Sequence, residues 1–176
     1  MSQIKIYGTL NSRASRVVWL AEEMGLDYRH IPVIQASRLS DPQAPDAQLN
    51  TLSDAFRQVS PHGVVPVLDD HGTVLTESLS ILLHLATTRT VPVCAATDAE
   101  SAQMAEWFFW AATLIEPDGV AVIVNKVIRD AATANHGSCT RAEARLRQNL
   151  VRLDRALSGE WLIGDRFTAA DLGLSE

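Results

Sequence analysis

The sequence has few of the residues that build disulfide frameworks or metal sites. Its two cysteines, Cys94 and Cys139, lie far apart with no C-x-x-C spacing, and its five histidines do not cluster. That excludes a written zinc site or dithiol redox pair, so no metal is expected and a reduced compartment fits. Positive charge is also scarce. Lys and Arg number 15 against 21 Asp and Glu, a formal net charge of −6, which argues against nucleic acid as a partner and against an anionic membrane surface. The N-terminal "MSQIKIYG" lacks the basic-then-apolar order of a secretion signal. No run approaches the roughly 18 apolar residues that a spanning helix needs. The expectation is a cytoplasmic protein without a membrane partner. What is present is ordinary: 47% apolar and 20% charged residues over 176 positions, enough for one domain or two small ones.

Alternation of Ile4 and Ile6 with Lys5 and Tyr7 predicts a first strand that ends at Gly8. From Arg13 to Met24 the apolar positions Val17, Val18, Leu20, Ala21 and Met24 fall at helical spacing, and Gly25 suits the stop. "YRHIPVI" predicts a second strand, "QASRLSDPQAPD" a long loop, and Ala47 to Val59 a weaker helix. Short strands at Val67–Leu68 and Thr73 to Leu75 flank a tight "DDHG" turn. A helix follows, with Leu79, Leu82, Leu83 and Ala86 as its buried face. The first 88 residues thus read βαβαββα, a small mixed sheet covered by helices.

Beyond them strand signals stop. Residues 1–88 are read as one domain, 89–97 as a linker and 98–176 as an all-helical domain. Helices are expected over Ser101 to Glu116, Gly119 to Asn135 and Thr140 to Leu157. The second is apolar around most of its circumference and is read as buried; the third carries Leu146, Leu150, Leu153 and Leu157 on one face and a solvated set of arginines elsewhere. No internal repeat is present.

Three features of the first domain could carry chemistry. In "TLNSRASR", Asn11, Ser12 and Ser15 are good helix caps, and a hydroxyl beside the free N–H groups of a helix start also stabilises an anion such as a thiolate. Val65–Pro66 interrupts a strand-like run. Proline there either demotes the strand to an edge or turns the preceding backbone outward, free to pair with an extended ligand. Glu77–Ser78 opens a helix directly after a strand: its N–H groups and the serine hydroxyl suit a carboxylate, while the glutamate suits an ammonium. An amino-acid terminus, a peptide-like middle and a thiol are the three parts of glutathione.

The motifs "SRASRVVWLAEEMGLDY" (12–28), "SPHGVVPVLDDHGTVLTESLSILLHLA" (60–86) and "WLIGDRFTAADL" (161–172) resemble those of the cytosolic glutathione transferases, in a bacterial-type form that uses serine. The resemblance implies a thioredoxin-like N-terminal domain followed by a helical one. It implies a cis Pro66, a Val65 backbone that pairs with the cysteinyl part of glutathione, and Glu77 with Ser78 on the γ-glutamyl end. Glutathione would be the co-substrate, a small electrophile the second substrate and a homodimer the working form. "FTAADL" resembles the family's capping box, with Thr168 and Asp171 in a folding role.

For the thiol, Ser12 is the first choice, because serine-using members place that serine four residues before a basic residue, here Arg16; Ser15, Asn11 and Tyr7 stay open. Two departures stand out. Val64 occupies the place of a basic or amide side chain that helps hold the glycyl carboxylate, with His62 as a substitute, and Ser60 replaces an asparagine of the turn. The helical domain is also short for the family. The expected activity is conjugation of glutathione to small, mostly apolar electrophiles. Glutathione-dependent reduction of disulfides or peroxides, and a non-catalytic binding or scaffold role, are the alternatives.

Overall fold

The structure is a computed structural model that describes residues 3–130, 133–157 and 159–175. The chain divides into two units, Met1–Ala95 and Ala96–Ser175.

In the first unit β1 (Ile4–Tyr7), α1 (Ala14–Glu23), β2 (Tyr28–Ile31), α2 (Asp54–Arg57), β3 (Val67–Asp70), β4 (Thr73–Thr76) and α3 (Ser78–Thr88) follow the expected βαβαββα order. The sheet runs β2-β1-β3-β4, with β1 parallel to β2 through the α1 crossover and the other pairs antiparallel. α1 buries Ala14, Val17, Leu20 and Ala21 at helical spacing and packs against α3. It closes as a Schellman turn: Gly25, at φ +63°, donates to the Glu22 carbonyl at 2.9 Å, and the Leu26 N–H reaches that of Ala21 at 3.0 Å. In the β3–β4 hairpin, His71 at φ +53° and Gly72 at φ +99° give the two left-handed residues that a two-residue turn between twisted strands requires.

Two expectations change here. The helix predicted over 47–59 shrinks to Asp54–Arg57, because Asn50 organises a loop instead. Its amide donates to the carbonyls of Pro42 and Gln48, its Oδ1 accepts from Leu52 N, and its backbone bridges to Ile34. On α3 the buried face uses Ile81 and Leu85 as well as Leu79, Leu82 and Ala86, whereas Leu83 is half-buried. Residues 89–95 stay against α3: Val93 and Cys94 are buried and Ala95 N donates to Ala86 O.

In the second unit one helical run extends from Asp98 to Ile128, joining what the sequence divides into two helices. It consists of α4 (Asp98–Trp110), a π-helical turn Ala111–Ile115, α5 (Glu116–Ile123) and a second π-turn Val124–Ile128. Pro117 cannot donate to the carbonyl four residues back, and the widened turn before it lets the run continue. By length and composition the run could cross a membrane, which corrects the expectation that no segment would pass that test; only 17% of its most apolar window is buried. Glu116 and Asp118 lie in its middle, and the Asp118 carboxylate is held by Arg145, whose Nε donates at 3.0 and 3.1 Å. The segment read as a buried helix is helical but exposed: Val127 and Ile128 are 77% and 70% accessible. Ala131 and Ala132, within that predicted helix, lie outside the described residues.

α6 (His136–Ala156) starts earlier than expected because Asn135 caps it, accepting from Ser138 N at 2.9 Å. Its most buried positions are Cys139, Ala142 and Asn149, whereas Leu150 points outward. Asn149 fits a buried face because its amide donates to Leu114 O of the first π-turn at 2.8 Å. Arg145, on the same helix, holds Asp118 while its side chain stays more than half exposed. α7 (Ala169–Leu174) carries both halves of the capping box: Asp171 accepts from Thr168 N at 2.8 Å, and Thr168 caps in return.

Candidate functional site

The loop between β1 and α1 is fixed from several sides. Gly8, at φ +131°, donates to Ile31 O and its carbonyl takes a 2.7 Å bond from His30 Nε2. A Cβ placed on Gly8 would stand 2.8 Å from Ala14 Cβ, 3.4 Å from Val65 Cβ and 3.5 Å from Ser12 Oγ. Glycine is required both by the dihedral and by the space. The same three distances show that Ser12 and Val65, 53 positions apart in the chain, meet around Gly8.

Ser12 is half-buried. Its hydroxyl donates to Thr9 O at 2.7 Å and accepts from Ala14 N at 3.3 Å, so it caps the start of α1. Ser15 donates to Ser12 O at 2.8 Å, and exposed Asn11 accepts from the Thr9 hydroxyl at 2.6 Å. Tyr7 is buried in a cluster with Val33, Phe56 and Val67, its ring 6.1 Å from that of Phe56. Its position is that of a core residue.

The Val65–Pro66 bond is cis, Pro66 is buried and Val65 is half-buried. Among the described residues, neither the N–H nor the C=O of Val65 has a hydrogen-bond partner. Ser60 sets up this edge from within: buried, it accepts from Val64 N and donates to Val64 O, both at 3.2 Å. The serine thus does the turn-closing work expected of an asparagine. Val64 itself is exposed, as is His62.

At the start of α3, Glu77 is exposed and held at φ +69°, ψ +112°, a region costly for any residue with a Cβ. Its carbonyl accepts the first helical bond, from Ile81 N at 3.0 Å. Ser78 is buried, with Arg16 Nη1 3.5 Å from its hydroxyl oxygen. Strain at an exposed acidic residue, beside a helix N-terminus with a buried hydroxyl, suits a ligand that carries both an ammonium and a carboxylate.

Two residues of this neighbourhood escaped the reading of the sequence. Arg38, on a single 3₁₀ turn at Ala36–Arg38, donates from Nη2 to Asn11 O at 3.1 Å and so lies beside the Ser12 loop. No local pattern in "QASRLS" signals it. Gly8 carries a signal, a glycine directly after a strand, that by itself marks only where the strand ends.

Farther from the site, Asp70 at the end of β3 joins the hairpin to the C-terminal end of α3. Its carboxylate meets His84 Nε2 at 2.6 Å and Arg89 Nη2 at 2.8 Å. Burial pushes this carboxyl up, but the bonds to Arg89 and His84 outweigh it and hold it below the ordinary range. In the second unit, Phe108 is core, while Trp107 and Trp110 pack edge to face at 5.5 Å and line a groove of about 380 Å³ with Arg152 and Leu153. Among the described residues no group of His, Cys, Asp and Glu has the arrangement of a metal site.

The profile for the glutathione S-transferase N-terminal domain matches residues 12–88. Glutathione S-transferase 3 of Schizosaccharomyces pombe is 26% identical over 184 residues, which cover 96% of this chain and 70% of that protein. Glutathione S-transferase theta-1 of Bos taurus is 36% identical over 86 residues, 44% of this chain and 33% of that protein. The theta class enzyme of Xanthomonas axonopodis pv. citri, solved with glutathione bound, superposes with a TM-score of 0.80 at 28% identity, over 99% of this chain and 80% of that one. Residues 12–88 thus match the N-terminal domain of the glutathione S-transferase family, and the thioredoxin-like α/β unit followed by a helical unit is similar to proteins of that family along the chain.

Proposed function

We propose that this chain is a glutathione transferase that joins the thiol of glutathione to small, mostly apolar electrophiles. The observation that carries the reading is the meeting of Ser12 and Val65 around Gly8, a hydroxyl beside an unpaired backbone edge. In this reading the Val65 N–H and C=O pair with the cysteinyl residue, which brings the sulfur toward Ser12. Ser78 and the first N–H groups of α3 take the glutamyl carboxylate, and Glu77 takes its ammonium. Residues 1–88 form the glutathione-binding domain, 89–97 the linker and 98–176 the helical domain of a cytoplasmic homodimer.

A thiol with a reference pKa near 8.5 is mostly protonated at neutral pH, and lowering it by about two units takes about 2.7 kcal/mol of preferential thiolate stabilisation. The Ser12 hydroxyl can contribute only by turning its proton from Thr9 O to the sulfur. The N-terminus of α1 supplies the rest. The thiol proton leaves to solvent, the thiolate forms an S–C bond, and the electron pair of the bond that breaks departs with the leaving group or, in addition to a conjugated double bond, moves to the electron-withdrawing group, which takes a proton from solvent. Isothermal titration with glutathione tests the binding half: Ser78→Ala should weaken it about tenfold, roughly 1.4 kcal/mol. A folded chain that ignores millimolar glutathione would end the proposal.

A second reading, binding without turnover, is favoured by one observation: the single Ser12 proton is already committed to Thr9 O. Ultraviolet titration of the bound thiol separates the two. A lowered thiol pKa that rises in Ser12→Ala supports the transferase; an unshifted one supports a binding module.

A further inference from the structure

We propose that Arg16 is a positioning residue, placed beneath Ser78 to strengthen the grip of the α3 N-terminus on a ligand carboxylate. The inference rests on the reading that Glu77 and Ser78 hold the amino-acid end of glutathione.

Arg16 is 2% exposed and lies in the first turn of α1 among Ala14, Val17 and Leu20. Both features oppose folding. A guanidinium taken out of water costs several kcal/mol before its partners repay it. A cation in the first turn also faces the positive end of its own helix dipole. A methionine or leucine would fill the same volume without either penalty, so packing alone is a poor reason for arginine here.

The direction of the side chain supplies another reason. It crosses from α1 to α3, and Nη1 stops 3.5 Å from Ser78 Oγ, the outer limit of a hydrogen bond. Ser78 is itself 4% exposed and begins an 11-residue helix. At that length the contact is electrostatic more than a tight bond. The guanidinium backs the hydroxyl from the protein side and adds full positive charge to the partial charge of the α3 N-terminus. Glu77, on the solvent side, contributes the opposite sign. An α-amino acid thus meets a graded pair of charges: carboxylate toward Ser78 and Arg16, ammonium toward Glu77. Arg16 should act on the carboxylate arm alone, without touching the ligand, because the cation is buried behind Ser78.

The test compares two ligands by isothermal titration: glutathione, and its analogue lacking the glutamyl α-carboxylate (4-aminobutyryl-cysteinylglycine). Wild type, Arg16→Lys, Arg16→Gln and Ser78→Ala are measured with each, alongside thermal unfolding. The expected result is a loss of about tenfold for Arg16→Gln on glutathione and less than twofold on the analogue, with Arg16→Lys recovering much of the difference because it keeps the charge. If Arg16→Gln does not fold, Arg16→Lys still decides. Its shorter reach should weaken glutathione about two- to threefold and leave the analogue unchanged. Equal losses on both ligands, or none on either, overturn the positioning role and leave Arg16 as a fold-stabilising residue. If wild type does not bind glutathione, or Ser78→Ala binds it as well as wild type does, the site reading fails first and this inference falls with it.

Discussion

The two units of the chain spend their apolar residues differently. In Met1–Ala95, Ile6, Leu20, Leu68, Ile81, Leu82 and Leu85 are fully buried. The few polar side chains inside them, Arg16, Asn50, Ser60 and Ser78, either fix a loop or face the candidate site. In Ala96–Ser175 the completely buried residues are mostly small, and Phe109, Val127 and Ile128 stand at least 70% exposed. The contrast teaches where precision is stored. A site made of loop ends needs a close-packed sheet and helices behind it, so that Gly8, Val65 and Ser78 are held by residues that cannot move independently. The helical run has no such demand written into its outer face.

The largest test of that contrast is a matched pair of truncations. Leu82→Ala, in the core of the first unit, should cost about 3 kcal/mol in denaturant unfolding, from lost transfer energy plus a cavity. Val127→Ala, on the exposed run, should change stability by no more than about 0.5 kcal/mol. Similar losses at both sites would mean that the Val127 face is covered in solution, and the comparison between the units would break.

A smaller effect concerns how α3 is anchored. Asp70→Asn should cost about 2 kcal/mol at neutral pH, by leaving Arg89 and His84 without their shared carboxylate. The sign with pH follows from its direction. Because the folded carboxyl is held below its ordinary value, its contribution is present above the unfolded pKa of about 3.9 and lost as pH falls through the folded one. Wild type should therefore lose stability on acidification more steeply than Asp70→Asn. Parallel curves would remove Asp70 from the account.

These particulars also show what could be read from residues alone. Periodicity of 2 and 3.6 placed β1, α1, the hairpin and α3, because each carries its own local signal. It failed where a side chain captures the backbone, as Asn50 does in place of a longer α2, and where a π-turn absorbs Pro117. It also failed on the run after Gly119, since an apolar composition does not say whether anything covers it. For the candidate site, the cis Pro66 and the Glu77–Ser78 helix start can be singled out from sequence because each is contiguous in the chain. The approach of Arg16 to Ser78 and of Arg38 to Asn11 cannot be, since 62 and 27 residues separate them and only the folded sheet brings them together.

In the second unit the capping box is the counterpart of such precision. Thr168 is fully buried and exchanges bonds with Asp171, whose Oδ1 also accepts from Leu162 N at 2.8 Å. Thr168→Ala should cost about 1.5 kcal/mol, the upper part of the range for an N-cap. Hydrogen exchange should show the loss within α7. A loss spread evenly over the chain would mean that this short helix is a keystone of the unit and not only its own start.

The smallest expected change has the opposite sign. Glu77 at φ +69° pays a conformational penalty that glycine would escape, so Glu77→Gly should raise stability by about 1 kcal/mol, after the extra entropy of the glycine chain is subtracted. If the strain serves the ligand, the same variant should bind glutathione at least tenfold more weakly, because the carboxylate that faces the ammonium is gone. A gain in stability with unchanged affinity would show that the strained residue belongs to the helix start alone. A loss of both would place Glu77 among the residues that hold the fold, and the separation between a rigid frame and a strained site would no longer stand at this position.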